Sequence, residues 1–262
     1  WWFTDEAVLL DTAGRYTMQE SDREVGSAAW NGFLQLLKKF RPHRPINGIV
    51  LTVSIAELLQ QSQNEREVHA TKLRARIKEL HDQFGIRFPI YVLVTKCDLL
   101  AGFMEYFGEF GKDERSQVWG MTFPQRLDND KRPPLADFET EYALLEQRLL
   151  DRLLDRLQQE RDPTKRAFQF SFPQQFSSIK PVLGTFLESV FTTSKYEDMP
   201  MVRGVYFTSG TQEGSPIDRI MGALSRAFGI ERKILPPQRA SGRSYFLTRL
   251  LREVVLGEQN LA

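Results

Sequence analysis

The sequence has few of the features that mark disulfide-linked, membrane-spanning or nucleic-acid-binding proteins. Its 262 residues include one cysteine, Cys97, which excludes an internal disulfide framework and fits a reducing compartment. No apolar run approaches the roughly 20 residues that a membrane-spanning helix needs. The 35 Lys and Arg nearly balance the 34 Asp and Glu, and the net charge of +1 favours neither nucleic acid nor an anionic surface as a ligand.

The sequence also lacks a recognisable signal peptide and the G-x-x-x-x-G-K-[ST] loop that holds nucleotide phosphates. It begins with Trp1 rather than Met and runs straight into an apolar segment, so we expect it to be a piece of a longer protein. In GTPases the phosphate loop precedes the D-x-x-G motif described below. We therefore expect that loop, if the parent has one, to lie upstream of Trp1.

The first hundred residues alternate between strand-like and helix-like patterns. Apolar, β-branched runs predict buried strands over 7–10, 48–53 and 89–94. Apolar residues at three- and four-residue spacing predict helices over about 20–40 and 64–84, the second ended by Gly85. Such alternation predicts a parallel sheet with helices on both faces.

After residue 100 the alternation of strand-like and helix-like patterns is less regular. We predict a loop-rich segment over 101–135, a charged helix over 136–161, a strand over 167–172, a helix over 178–192 and a strand over 203–208. Helices over 216–228 and 244–256 follow, joined by a turn-rich linker over 235–242. Residues 1–212 are therefore predicted to form an NTPase-like domain with an insertion over about 101–161, and residues 213–262 a mostly helical extension. The aromatic run 103–110 fits either a core or a partner surface.

Asp11-Thr12-Ala13-Gly14-Arg15 follows the first apolar strand and matches the D-x-x-G motif of P-loop proteins. An Asp at that strand end contacts Mg²⁺, directly or through a water. A Gly three residues later lets a backbone N–H approach the γ-phosphate. The alternative is an Asp that caps the next helix.

Thr95-Lys96-Cys97-Asp98 follows the third strand and matches the [NT]-K-x-D motif of GTPases. There the Asp carboxylate accepts two N–H groups from the guanine edge, and the Lys stem covers the base. Both motifs end strands of one predicted parallel sheet, where such sheets bind ligands. The pair predicts a P-loop NTPase-like, GTPase-like α/β fold with a site for Mg²⁺ and GTP or ATP.

GTPases close the base site with a small-residue turn after a later strand. Two segments are candidates: Phe170-Ser171-Phe172, which comes next along the chain, and Thr208-Ser209-Gly210, which is the better small-residue turn. We favour the second, which makes Ser209 the predicted third contact. Arg15 stands where Ras-like proteins have a water-orienting Gln.

With these motifs placed, the whole chain resembles the IcmF/TssM family of type VI secretion systems. The matching segments are 1–8, 11–16, 44–48, 89–96, Gly102-Phe103-Met104-Glu105-Tyr106-Phe107, Val118-Trp119-Gly120-Met121-Thr122-Phe123, 204–210 and 242–247. The aromatic strings do not occur in generic GTPases. They argue against a soluble signal-recognition-type GTPase, whose D-T-A-G-R and T-K-x-D motifs are otherwise shared.

The resemblance implies a location and partners that composition does not show. Family members hold an NTPase-like region on the cytoplasmic face of the bacterial inner membrane, between membrane helices, so the 213–262 extension would lead toward a membrane segment. They assemble as several copies with TssL and the lipoprotein TssJ and face the baseplate, including TssK. No nucleic-acid partner is expected. The implied role is docking, with a nucleotide site that is regulatory or vestigial; the alternative is an active NTPase that energises secretion.

Overall fold

The computed structural model describes residues 2–3, 7–11, 23–125, 132–192, 199–210, 217–218, 242–258 and 260–261. In chain order its strands are β1 (Trp2–Phe3), β2 (Val8–Leu9), β3 (Ile49–Ser54), β4 (Pro89–Thr95), β5 (Gly120–Thr122) and β6 (Met201–Phe207). The helices are α1 (Arg23–Phe40), α2 (Ile55–Gln60), α3 (Gln63–Phe84), α4 (Phe103–Phe107), α5 (Lys112–Ser116), α6 (Phe138–Gln159) and α7 (Pro163–Phe191). A short 3₁₀ helix spans Cys97–Leu99 and a π-helical segment spans Leu250–Val255.

A four-stranded sheet in the order β3-β4-β6-β5 forms the centre of the fold. β3, β4 and β6 are parallel, and β5 pairs antiparallel with β6, so β3 and β5 form the two edges. β4 is buried along nearly its whole length, as expected of an apolar central strand, and its proline is tolerated because it begins the strand. The predicted α/β class is confirmed, but the sheet is mixed rather than entirely parallel.

The first predicted strand is not part of this sheet. β2 pairs antiparallel with β1 in a separate two-stranded ribbon. Val8 and Leu9 are 50% and 38% exposed. The prediction of a buried parallel strand over 7–10 is therefore wrong, because an apolar run of four residues does not specify which strand it pairs with or how deeply it is buried.

The prediction of helices on both faces is confirmed in part, because the α-helices of the main core lie on one face and a short C-terminal segment with π-helical turns lies on the other. On one face, the alternate residues Ile90, Val92 and Val94 of β4 belong to the main core, together with buried side chains from α3, α6 and α7. On the other face, Tyr91 and Leu93 pack against the segment that contains Leu247, Leu250, Val254 and Val255. The period-two alternation of β4 thus divides its side chains between two cores.

α3 and α6 match their predicted spans closely. Ser62 caps α3 by accepting a hydrogen bond from the Glu65 N–H, and the Glu65 carboxylate accepts one from the Ser62 N–H in return. Gly85 ends the helix in the left-handed conformation, with φ of 63°. These local signals are strong enough to fix both ends of α3 from sequence.

α7 overturns another prediction. Residues 167–172, expected to form a strand, lie inside this 29-residue helix, as do residues 178–191. Asp162 caps its N-terminus by accepting hydrogen bonds from the Thr164 and Lys165 N–H groups. The spacing of Phe168, Phe170 and Phe172 suggested a strand, yet Phe172 is fully buried whereas Phe170 is 55% exposed. The cap and the burial of one face therefore stabilise the N-terminal part of α7 as a helix, although its phenylalanines have a period-two pattern.

The aromatic run 103–110 is core, so its alternative reading as an exposed partner surface is wrong. Its aromatic residues are all buried, and Phe103 and Phe107 contact Trp119, Phe172 and Phe246 edge-on or tilted. Gly102 precedes α4 with φ of +85° and approaches the backbone carbonyl of Phe168 so closely that a Cβ would collide with it. The aromatic string therefore joins α4 to α7.

Towards the C-terminus, residues 248–249 are helical and continue into the π-helical segment, in partial agreement with the predicted helix over 244–256. The predicted helix over 216–228, most of the 235–242 linker and the boundary at 212–213 lie outside the described residues. Where the structure is described, no helix combines the length and apolar character needed to cross a membrane.

Candidate functional site

The carboxyl ends of β4 and β6 lie side by side and hold four of the predicted site residues. The Thr208 N–H donates to the Val94 carbonyl at 2.8 Å, and the Cys97 N–H donates to the Thr208 carbonyl at 3.2 Å. These bonds extend the parallel pairing past the strand ends and place Thr95, Lys96 and Asp98 next to Ser209. Of the two candidate turns, the favoured 208–210 segment is therefore the one that reaches the motif.

Asp98 lies in the interior of this strand-end site. Asp98 is 1% exposed, and its Oδ1 accepts a hydrogen bond from the Oγ of Ser209, a residue that is 2% exposed. A buried carboxylate needs such donors because its desolvation is otherwise costly. The geometry therefore explains why an acidic residue is tolerated at a position that is almost closed to solvent.

Lys96 is held in an unusual backbone conformation and is paired within the protein. Its φ of 60° and ψ of 33° place it in the left-handed region, which costs a non-glycine residue about 1 kcal/mol or more. Its Nζ donates to Oε1 of Glu57 at 2.7 Å. The hydrogen bond from Lys96 also lowers the pKa of the Glu57 carboxyl, and burial opposes that shift.

Glu57 is the residue of this site that sequence reasoning missed. Ser54, at the end of β3, caps α2 by accepting the Glu57 N–H at 3.3 Å. The cap places Glu57 in the first turn of α2, at the same edge of the sheet as Lys96. The signal was present as Ser54-Ile55-Ala56-Glu57 after a β-branched run, which is the S-x-x-E pattern of a helix start.

Two further segments meet the strand ends from the C-terminal part of the chain. Ser209 and Tyr245 exchange backbone hydrogen bonds of 3.1 and 2.8 Å in an antiparallel bridge. Ile217 forms a parallel bridge with Leu100, and its N–H donates to the Leu99 carbonyl at 2.6 Å. Cys97 is fully buried, which raises the pKa of its thiol far above the usual range and is typical of a cysteine that acts as a small apolar residue in the core.

Asp11 does not belong to the sheet that carries this edge. It follows β2, which lies outside the four-stranded sheet, and it is exposed. Gly14 lies outside the described residues. Over the residues that the structure describes, no group of three or more His, Cys, Asp or Glu side chains is arranged to hold a metal. A Mg²⁺ contact from Asp11 therefore stays a prediction.

The residues at the strand ends do not fit a bound guanine in the conformation described. Base recognition requires the Asp98 carboxylate to face the ligand and the Lys96 stem to lie over it. Instead, the carboxylate is buried against Ser209 and the ammonium group is paired with Glu57. Their assignment as nucleotide contacts stays a prediction, and no chemical step is derived through a nucleotide.

The IcmF-related N-terminal domain model matches residues 23–262, which is most of the chain. The chain belongs to the IcmF/TssM family. The match begins after Asp11 and Gly14 and includes Lys96, Asp98 and Ser209. Membership therefore rests on the part of the chain that contains the sheet and the strand-end site.

One relative matches this IcmF/TssM chain along its whole length. The "Type VI secretion system component TssM1" of Pseudomonas aeruginosa is 55% identical over 261 residues, which is 100% of this chain and 24% of that protein. The chain thus spans about a quarter of the relative's length. No solved structure matches the chain, and the P-loop NTPase-like arrangement remains a prediction.

Proposed function

We propose that this chain is a module of a type VI secretion system, in which it docks other components of the membrane complex. The observation that carries the proposal is the 55% identity to TssM1, which extends over the full length of the chain rather than over one motif. Identity at this level across 261 residues makes a shared assembly role the simplest inference.

The partners follow from the family resemblance. We propose that the module lies on the cytoplasmic face of the inner membrane, contacts TssL and baseplate subunits including TssK, and is linked to TssJ through the rest of its parent. Multiple copies would assemble in the parent complex. Since the aromatic run 103–110 is buried, docking must use other surfaces than that run.

We further propose that the strand-end site acts as an internal clasp and not as a catalytic centre. Two features support this: Asp98 is buried and bonded to Ser209, and Lys96 is paired with Glu57. A phosphate-binding loop is absent from the sequence. The alternative is an active GTPase or ATPase in which the parent supplies that loop and nucleotide displaces Glu57 from Lys96.

The docking role is tested by pull-down of the purified 262-residue chain with the cytoplasmic domain of TssL and with TssK from the same bacterium. We expect retention of at least one of them. Recovery of neither, by a chain shown to be folded by circular dichroism, contradicts the proposal. Deletion of residues 23–262 from the parent gene should also abolish effector delivery, and reintroduction of the intact gene should restore it.

Calorimetry and turnover measurements on the same chain distinguish an internal clasp from an active enzyme at the strand-end site. We expect no measurable GTP or ATP hydrolysis, and any binding to prefer GTP because of Asp98. Hydrolysis that is lost in Asp11→Ala and Asp98→Ala favours the enzyme. Tighter binding of ATP than of GTP contradicts the guanine assignment.

A further inference from the structure

A groove on the protein surface runs between α5 and the segment 242–253. We call it the basic groove. It has a volume of about 740 Å³, and its lining consists of Lys112, Asp113, Arg115, Ser116, Gly242, Arg243, Ser244, Thr248, Arg249, Arg252 and Glu253. The strand-end site does not contribute to it.

The basic groove concentrates positive charge in an otherwise balanced protein. Its lining holds five Lys or Arg side chains against two carboxylates, a net charge of +3, whereas the entire chain has a net charge of +1. In one exposed ion pair, Oε1 of Glu253 lies 3.7 Å from Nε of Arg249. Cations gathered in a concave surface reinforce one another's field and attract anions.

The two walls of the groove are fixed to each other. The Phe246 N–H donates to the Arg115 carbonyl at 2.6 Å, which joins the 242–253 wall to the α5 wall. The Arg115 Nε donates to the Phe110 carbonyl at 3.2 Å, and its guanidinium lies 5.6 Å from the centre of the Tyr245 ring. Arg115 is thus positioned before any ligand arrives, which lowers the entropy cost of binding.

The chemistry of the lining selects among anionic ligands. It includes no apolar side chain, so it offers neither a stacking surface for a nucleobase nor a pocket for an apolar anchor. Its volume far exceeds that of one phosphate. A lipid bilayer is flat and is bound by protruding cations beside inserted apolar groups, whereas these cations line a concavity. Guanidinium forks and hydroxyls suit a row of carboxylates.

We propose that the basic groove docks an acidic segment of a partner protein, with Arg115, Arg249 and Arg252 as its principal contacts. The assignment of a partner protein rests on the docking role proposed above. The charge and shape of the groove are independent of that role. The groove adjoins Tyr245, whose backbone pairs with Ser209, so an occupant would lie close to the strand-end clasp.

The test is fluorescence anisotropy of the 262-residue chain with a labelled peptide of about ten residues that alternates Glu and Ala. The same peptide with Gln in place of Glu is the ligand control. The groove variant is Arg249→Glu/Arg252→Glu. The matched control is Arg148→Glu/Arg152→Glu, which reverses two exposed arginines one turn apart on α6. Hydrogen exchange of the complex locates the occupant.

We expect saturable binding of the Glu peptide, at least tenfold weaker binding of the Gln peptide, and at least tenfold loss in the groove variant with little change in the control. Protection should appear in 110–117 and 242–253. Equal loss in both variants, or absence of binding by the native chain, overturns the proposal. So does groove-dependent binding to phosphatidylglycerol vesicles without peptide binding. If the groove variant still retains TssL or TssK, the chain docks these partners through a surface other than the basic groove, and the proposed docking role stands.

Discussion

Ser209 donates a hydrogen bond from its Oγ to Oδ1 of Asp98, and it joins two residues that are 111 positions apart in the sequence. Both side chains are almost completely buried. The contact fastens the turn after β6 to the motif after β4. The [NT]-K-x-D motif therefore has a structural role that does not depend on a ligand.

The first prediction concerns this contact. Ser209→Ala removes a donor from a buried carboxylate and should lower the free energy of unfolding by about 1–3 kcal/mol. Ser189→Ala is the control, because the Ser189 hydroxyl donates to the Thr185 carbonyl in its own exposed helix turn. It should change stability by about 0.5 kcal/mol or less. Urea unfolding at pH 7 measures both, and equal effects would show that the clasp contributes nothing specific.

The second prediction concerns the ion pair between Arg203 and Glu258. Arg203 lies at the irregularity where β6 shifts register against β4; its Nε and Nη2 donate to the two Glu258 oxygens at 2.9 and 2.6 Å. Arg203→Met leaves the carboxylate without its forked partner and should cost about 2–4 kcal/mol. Arg249→Met, which breaks an exposed pair, should cost about 0–1 kcal/mol. Thermal or urea unfolding distinguishes these outcomes.

The third prediction concerns the pH dependence of stability. Hydrogen bonds from Arg203 hold the pKa of Glu258 below its usual value, and Tyr91 donates a further hydrogen bond at 2.8 Å. The folded state therefore favours the charged form. Its contribution to stability is fully present above the unfolded pKa of about 4.3 and is lost as the pH falls through the lower native pKa.

Glu258→Gln should consequently be less stable than the native chain at pH 7, and the difference should shrink as the pH falls below about 4. The measurement is the free energy of unfolding in urea at several pH values from 7 to 3. Glu253→Gln, at an exposed pair, is the control and should show little difference at any pH. A constant gap between Glu258→Gln and the native chain would refute the linkage.

The fourth prediction compares two glycines with positive φ. Gly85→Ala meets no atom within 4 Å, so it introduces only left-handed strain of about 1 kcal/mol. Gly102→Ala has the same strain and also drives a Cβ into the Phe168 carbonyl. It should therefore destabilise the chain by well over 2 kcal/mol and reduce soluble yield. Similar melting temperatures for the two variants would contradict the close contact between α4 and α7.

The fifth prediction distinguishes a helix from a strand over 167–172. In a strand, Phe170 and Phe172 would share one face and have similar effects. In the helix described, Phe172→Ala opens a cavity in the core and should cost about 3–5 kcal/mol, whereas Phe170→Ala should change stability by about 0.5 kcal/mol. The two variants match in chemistry and lie two residues apart. Comparable losses would favour the strand.

Sequence patterns predicted the elements whose local signals agree with their tertiary surroundings. β4 is uniformly apolar, α3 has a capping box and a terminal glycine, and both are confirmed. Ser209 was chosen because small residues suit a tight turn at a strand end, and the structure places it against Asp98. Here local chemistry and global packing favour the same outcome.

The failures occurred where local patterns were ambiguous. The run 7–10 is too short to specify its pairing partner, and it formed an exposed ribbon with β1. The alternating phenylalanines of 168–172 suggested a strand although Asp162 supplied a helix cap. α7 also contains Pro173 and Pro181, residues that usually interrupt a helix, and burial of one face outweighs the hydrogen bonds lost there.

β3 occupies one edge of the four-stranded sheet, and in the part of the chain that the structure describes only β4 pairs with it. The outer N–H and C=O groups of such an edge can accept another strand at no cost in side-chain rearrangement. Exposed edge strands are common sites of strand-to-strand association, so we expect a charged substitution at Thr52, which is exposed on β3, to reduce any self-association of the purified chain at high concentration.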